Sequence, residues 1–469
     1  YIKMRKVLII VSTVAELTVN LIILWQNWDS ILAGNLHLKY NLGGWSSSIG
    51  ITLILDNLSL IFALLLSLSL FLIIIYSLGF IGDHEGKYYV LIFLLLGAMQ
   101  GAVLTGDIFN LYVFIELITI TSAALVAFHR YLDDSVAAFK YLLYGVIGGM
   151  FFLIGVFLVY FNLGTLNLSL IAENFSSIND YMKITILLFF MTSLFIKLGV
   201  FPFHFWLPKA HSACPSSISA ILSGILLKVF VYIFIRLFIG VFNFQFLVNI
   251  NMQNFIIYIS LFSSIMGHIL AVQANDIKRM LAFSSIGHIS IIISVLALNT
   301  ELGIFAGVLH SVSHLILKVT LFLCVGYILQ FTEGHQLADF IGVGYKNKGI
   351  FIIFIIAAMG LVGVPPLPGF FSKYYILQAF IEKERYFPEL LVILTGIISF
   401  FYYLRYIIWG YNFANNKKEA VPTGIVFSNF YLEKAVLFVL YSFLVLILIT
   451  GVLWSNKTWI LPFIKIAGG

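Results

Sequence analysis

SLFIKLGVFPFHFWLPKAHSACPSSISAILSGILLKVFVYIFIR, residues 193–236, joins two apolar segments at a proline-rich break and buries one lysine in each. Lys197 precedes the break and Lys228 follows it. A charge at mid-membrane depth costs about 2.5–3.5 kcal/mol on insertion scales, so an intramembrane lysine marks a functional site by default. Pro202, Pro208 and Pro215 remove backbone donors and interrupt the helical ladder. In lipid such a break is tolerated only where the freed backbone is buried in protein or lines a water-filled cavity. The stretch reads as half of an ion pathway.

The rest of the chain fits that reading. Of 469 residues, 61% are hydrophobic and 10% charged, with mean hydropathy +1.07. Soluble domains carry about 25% charged residues, so a soluble protein is excluded. Apolar runs of about 20 residues predict an all-α polytopic membrane protein and not a barrel. Thirteen spans are expected, near 7–25, 57–80, 89–105, 108–128, 139–161, 184–201, 216–242, 255–272, 277–298, 302–331, 349–380, 390–409 and 435–453. The eleventh is overlong and interrupted by GVPPLPG at 363–369, through Pro365, Pro366 and Pro368, so it is a broken helix or a helix plus a re-entrant piece. The connectors 26–56, 165–183 and 411–434 are too short for a soluble domain, which leaves residues 1–469 as one membrane domain. The start at Tyr1, with YIKMRK before an apolar run, reads as a loop entering a span whose preceding segment is missing.

The net charge of +6 comes from lysines and arginines in short loops, which points to membrane orientation and not to nucleic acid. Fourteen basic residues, including Arg130, Lys278, Arg279, Lys417 and Lys418, fall on one side of the thirteen spans. Six, Lys39, Lys183, Lys383, Arg385, Lys457 and Lys465, fall on the other. The first side is therefore cytoplasmic. Two broken spans lie five apart and so cross in opposite directions, the signature of an inverted repeat. The expected units are about 89–242 and 255–409, five helices each with one broken, with 7–25, 57–80 and 435–453 peripheral.

The buried polar residues form a candidate relay. Glu116 lies mid-span in NLYVFIELITI, either as a structural carboxylate or as the partner of a buried lysine. Burial disfavours the charge on each residue and proximity restores it, so a Glu–Lys pair is switchable by small rearrangements. Lys228 lies about twelve residues, or ~18 Å, into its helix, too deep to snorkel easily. His310, His314 and Lys318 recur at i, i+4 and i+8 and line one helix face, about 6 Å per step. A water-bridged row of proton acceptors fits them better than a metal or haem pair, for which a third ligand is missing from the span. Lys373 follows the second break as the counterpart of Lys197. Glu116, Lys197, Lys228, His314, Lys318 and Lys373 are thus expected to form a polar axis. Secondary candidates are Asp56 and Asp107 as caps or outer-mouth groups, His204, Arg236 and His288. Glu16 and Asn20 in the first span have no evident role beyond contact with a partner subunit. Cys214 and Cys324 form no redox or cluster motif, and no phosphate-binding Gly-rich loop occurs, so no cofactor is expected.

LTGDIFNLYVFIEL, residues 195–236 of the opening stretch, ANDIKRMLAFSSIGHIS, LHSVSHLILKVTLFLCVGYI and VGVPPLPGFFSKYYIL resemble the antiporter-like subunits shared by respiratory complex I, Mrp-type Na+/H+ antiporters (D-type subunit) and membrane-bound hydrogenases. The resemblance covers nearly the whole chain and implies fourteen helices, of which the first is not seen here. It places the family's glutamate on Glu116, its broken-helix lysine on Lys197, the next lysine on Lys228, the central-axis histidines and lysine on His310, His314 and Lys318, and the terminal group on Lys373. WLPKAH departs from the common WLPDAH, with Lys209 for the acid, and leans toward the Mrp and hydrogenase branches. The resemblance implies a proton-translocating subunit in the cell membrane whose partners are homologous and small membrane subunits, lipids and, in a redox-driven assembly, iron–sulfur subunits. A non-conducting scaffold and a stand-alone secondary transporter are the alternatives.

Overall fold

The computed structural model describes residues 2–47, 49–81, 85–128, 132–242, 244–332, 334–412 and 430–457. Arg130, Lys417, Lys418, Lys465 and most of the 411–434 connector lie outside them. The described chain is helical throughout apart from one hairpin. In order it comprises α1 (Ile2–Gln26), β1 (His37–Asn41), β2 (Thr52–Asp56), α2 (Asn57–Ser77), α3 (Glu85–Leu104), α4 (Ile108–Val126), α5 (Leu132–Leu163), α6 (Asp180–Leu198), α7 (Trp206–Ala213) and α8 (Ser216–Val241). There follow α9 (Met252–Gln273), α10 (Ile277–Leu296), α11 (Glu301–Ile328), α12 (Lys348–Val362), α13 (Pro368–Glu382), α14 (Tyr386–Gly410) and α15 (Phe430–Leu453).

Short polar side chains start the helices. Asp56 accepts the Ser59 N–H in a capping box that opens α2, Asp107 accepts from Asn110 N for α4, and Asp276 and Thr300 do the same for α10 and α11. Each occupies one of the donors that an α-helix leaves unpaired at its first turn. Within the connector 26–56, residues 37–56 form the antiparallel β1–β2 hairpin, and Leu53 bridges to Thr105.

Twelve helices among the described residues are long and apolar enough to cross a membrane, α6 and α7 counting as one. The second interrupted segment makes a thirteenth crossing. At about 22 Å each, α12 and α13 are too short to span alone. The start of α12 lies against the end of α14, where Gly410 abuts Phe351, while the start of α14 lies at the opposite face, where Phe387 meets Tyr258 at the start of α9. Residues 348–382 therefore cross once, and the re-entrant alternative falls. Both breaks begin at a glycine in the left-handed region that closes a half-helix, Gly199 after α6 (φ 68°) and Gly363 after α12 (φ 102°).

The helices α8, α10 and α11 form the centre, and α1, α14 and α15 are the most exposed. The helix at 57–80, expected at the periphery, packs inward: most of α2 is buried, and Tyr76 donates to the Leu323 carbonyl of α11 at 2.8 Å. Glu16 and Asn20, given no role within the chain by the sequence, have partners inside it. Glu16 Oε1 accepts from Ser67 at 2.9 Å and from Gln100 at 2.8 Å, and Asn20 donates to Ser67 at 2.6 Å, a polar knot joining α1, α2 and α3.

Candidate functional site

The polar residues of the interior fall into three groups. The first joins α4 and α6. Lys197 Nζ lies 3.4 Å from Glu116 Oε1 and 2.6 Å from Thr119 Oγ1, one turn farther along α4. The Lys197 side chain is 4% exposed and that of Glu116 21%, so the lysine is sealed inside while the carboxylate keeps one side open. Gly149 of α5 makes room for this carboxylate, since a Cβ there would collide with it.

The second group surrounds Lys228. The helix α8 contains two π-type segments, 221–226 and 235–241. Wide turns of this kind offset carbonyls from their usual partners and recur at functional sites. Lys228 uses the first, donating to the Ser223 carbonyl at 2.6 Å, and lies 2.5 Å from His314 Nδ1 of α11. From His314 a file of imidazoles continues: its ring centroid is 5.2 Å from that of His288 on α10, His288 Nδ1 is 3.3 Å from His310 Nε2, and His310 Nδ1 is 2.9 Å from Ser372 Oγ. Ser372 adjoins Lys373 in α13. His268 of α9 flanks the file, 5.1 Å from His288 between centroids and 3.2 Å from the Tyr402 hydroxyl. All four histidines are fully buried. The Nε2 atoms of His268, His288 and His314 have no protein partner among the described residues. Such atoms keep acceptor or donor capacity free for a moving proton.

Lys318 forms the third group. Its ammonium contacts Ser284, the Leu281 carbonyl at 2.8 Å and the Tyr403 hydroxyl at 3.5 Å, toward the start of α10 and the end of α14. The shared helix face does place His310, His314 and Lys318 in register, yet their partners diverge. The interior is thus a fork and not a single file. No side-chain hydrogen bond connects the Glu116–Lys197 pair to Lys228 among the described residues.

The remaining expected residues have separate places. Lys373 donates back to Val362 O at 2.9 Å, capping the last turn of α12, and lines an open, largely apolar cleft of about 430 Å3 against α14. It lies ten residues after Gly363, whereas Lys197 lies two residues before Gly199, so the two lysines flank their breaks from different sides. Pro202, Pro365 and Pro366 are exposed at the breaks, Pro208 and Pro368 are buried within the first turn of α7 and α13, and Pro215 precedes α8. His204 stacks between Phe201 and Phe205, away from the lysines. Arg236 forks onto Asp56 at 2.6 and 2.9 Å and also meets Tyr232, and all three line a cavity of about 420 Å3. Burial alone would push Asp56 up, but the guanidinium and the Ser59 bonds outweigh it and hold the carboxyl below its ordinary value. Asp107, with no ion-pair partner among the described residues, is raised by burial.

Sequence reasoning missed His268, Thr119, Ser284, Ser372, Tyr402 and Tyr403. Ser284 and Ser372 stood inside the two motifs quoted around His288 and Lys373, which was the available signal. Among the described residues no three His, Cys, Asp or Glu side chains converge to hold a metal.

Residues 105–399, which contain every buried polar residue from Glu116 to Lys373 described above, match the family described as NADH:quinone oxidoreductase/Mrp antiporter, TM. The chain is 30% identical over 374 residues to the N subunit of the NADH-quinone oxidoreductase of Desulforudis audaxviator, covering 79% of this chain and 74% of that one. It is 28% identical over 375 residues to the D-type subunit of the Na+/H+ antiporter of Alkalihalophilus pseudofirmus, covering 79% and 76%. Among solved structures, a chain of the membrane-bound sulfane sulfur reductase, an archaeal respiratory membrane complex, superposes with a TM-score of 0.87 at 27% identity, covering 98% of this chain and 92% of that chain. A broken-helix membrane fold with paired lysines, matched over more than half its length, identifies this chain as a member of the NADH:quinone oxidoreductase/Mrp antiporter membrane family.

Proposed function

We propose that this chain is the proton-translocating, antiporter-like subunit of a multi-subunit complex in the cell membrane. The observation that carries the reading is the Lys228–His314 contact at 2.5 Å, continued by His288 and His310 to Ser372 beside Lys373. A proton on Lys228 Nζ can pass to His314 Nδ1 directly, after which the imidazolium releases the proton of its Nε2 toward His288. Histidine is suited to this because it gains and loses protons nearest to neutral pH. The Glu116–Lys197 pair acts as the trigger. When the half-open carboxylate turns toward a neighbouring subunit, Lys197 loses its counter-ion, and its uncompensated charge disfavours a second ammonium at Lys228.

The relatives named above work as parts of larger assemblies, which supports other membrane subunits as partners. The driving chemistry then belongs to those partners: iron–sulfur subunits in a redox-driven assembly, or a Na+-carrying subunit in an antiporter. Lipid fills the remaining perimeter. The test is proton translocation by the intact complex in vesicles carrying Glu116→Gln or Lys197→Ala. Assembly with little translocation is expected. Full-rate pumping in both variants refutes the relay and leaves a scaffold.

A further inference from the structure

Glu16 stands apart from the interior groups described above and outside residues 105–399. It lies near the middle of the span 7–26 in α1, the least buried of the candidate spans, yet its carboxyl is turned inward. The carboxyl is held unevenly. Oε1 accepts from Ser67 Oγ of α2 at 2.9 Å and from Gln100 Nε2 of α3 at 2.8 Å. Gln100 Nε2 is shared with Ser67 Oγ at 3.0 Å and with the Ala63 carbonyl at 3.1 Å. The single Ser67 hydroxyl hydrogen is likewise shared between Oε1 and that carbonyl, which lies 2.8 Å away. Asn20, one turn along α1, directs its amide at Ser67 at 2.6 Å. Oε2 is buried and has no protein partner among the described residues. The side chains that face Glu16 are thus Asn20 on its own helix, Ser67 on α2 and Gln100 on α3, none of them titratable. No cation pairs with it among the described residues.

A bare carboxylate does not suit this setting. Ionised, it has only acceptors, and each oxygen needs donors or a counter-charge. At mid-membrane depth a charge without them is expensive. Protonated on Oε2, the group is neutral and keeps Oε1 as the acceptor that Ser67 and Gln100 use. We propose that Glu16 is a proton-binding site separate from the relay, with the proton carried on Oε2 at neutral pH, and that this proton clasps α1 to α2 and α3. The inference does not depend on the relay. Loss of the proton leaves a charged Oε2 with no donor, so the carboxylate turns out of the knot and the hold of Ser67 and Gln100 on α1 is released. Glu116 differs, because Lys197 at 3.4 Å supplies a counter-charge.

The experiment uses the intact complex in membranes. Infrared difference spectra between the unaltered and Glu16→Gln complexes at neutral pH should show one protonated-carboxyl C=O band that shifts in heavy water and is missing from the variant. Glu16→Leu serves if Glu16→Gln fails to assemble. The same band should persist in Glu116→Gln, which removes the carboxylate paired with Lys197. For the clasp, a nitroxide attached at Val19→Cys, an exposed position of α1, reports how firmly that helix is held, while Cys214 and Cys324 are buried. Its mobility should rise at the pH where the band is lost, and should not change with pH when Glu16→Gln is added. No Glu16-dependent band at neutral pH overturns the site, as does a band lost in Glu116→Gln instead. Loss of the band with no change at Val19→Cys overturns the clasp.

Discussion

Replacing Arg236 by Met strands a carboxylate. Asp56 has a side chain only 1% exposed, and Arg236, itself 15% exposed, holds both of its oxygens, at 2.6 and 2.9 Å. Removing one partner of a buried ion pair costs about 3–5 kcal/mol, most of it the penalty of the charge left behind. The cap on α2 survives, because Ser59 still donates to Asp56. In the double variant Asp56→Asn with Arg236→Met no charge remains, and Asn is as good a cap as Asp. The double variant should therefore recover at least about 2 kcal/mol relative to Arg236→Met alone. Reversible detergent-denaturation curves for the four proteins of this cycle give the coupling. The pair also sets an acid dependence. Because the folded carboxyl lies below its ordinary value of 3.8, its contribution is fully present above that pH and is lost as the pH falls through the lower folded value. The cycle should show full coupling at pH 7 and a declining one below about pH 4. A coupling under about 0.5 kcal/mol at pH 7 would refute the argument that this pair is buried and mutually dependent.

Three other substitutions test particular contacts. Gly149→Ala alters no titratable group, yet its methyl displaces the Glu116 carboxylate, and misplacing a reacting group by about 1 Å costs up to about 100-fold. Proton translocation should fall by at least about tenfold while the complex still assembles, and an unchanged rate would show that the position of Glu116 is unimportant. Gly369→Ala pushes a methyl into the Gly360 carbonyl at the second break, which should destabilise the chain by about 1–3 kcal/mol in thermal unfolding and slow transport by moving Ser372 off His310. Glu16→Leu removes the carboxylate that accepts from Ser67 and Gln100, which keep the Ala63 carbonyl, and should cost about 1 kcal/mol per lost bond even in the isolated chain. An effect seen only in the assembled complex would instead restore a partner contact.

The sequence exposed the spans and the depth of the charges, because both are properties of short windows. Lys228 and Lys318 stand among apolar neighbours, and that alone makes them expensive and so informative. What each one touches is not local. Lys228 and His314 are 86 residues apart, and Asp56 and Arg236 are 180 apart. In an ordinary amphipathic helix the polar stripe tells which face looks where. The helix α8 is apolar almost all round, and the one polar stripe of α11 carries His310, His314 and Lys318 together, so the divergence of their partners stayed hidden. His268 looks like an ordinary core histidine in its own window, and only the helices packed against it give it meaning. The hairpin was missed for a different reason: β1 and β2 are five residues each and lie in a connector where hydropathy alone carries little signal.

The bond from Lys373 to the Val362 carbonyl has a consequence for how the second break behaves over a transport cycle. An amine that has given up its proton still carries two N–H groups, so it can go on donating to that carbonyl when neutral. Discharge of Lys373 therefore need not unlatch α12 from α13, and the bent backbone can serve as a fixed frame through which charge alone is exchanged. An ionised glutamate at this position has only acceptors and would leave the carbonyl unmet. In the proposed relay the residue that stores the charge is also the clasp, and losing the charge does not open it.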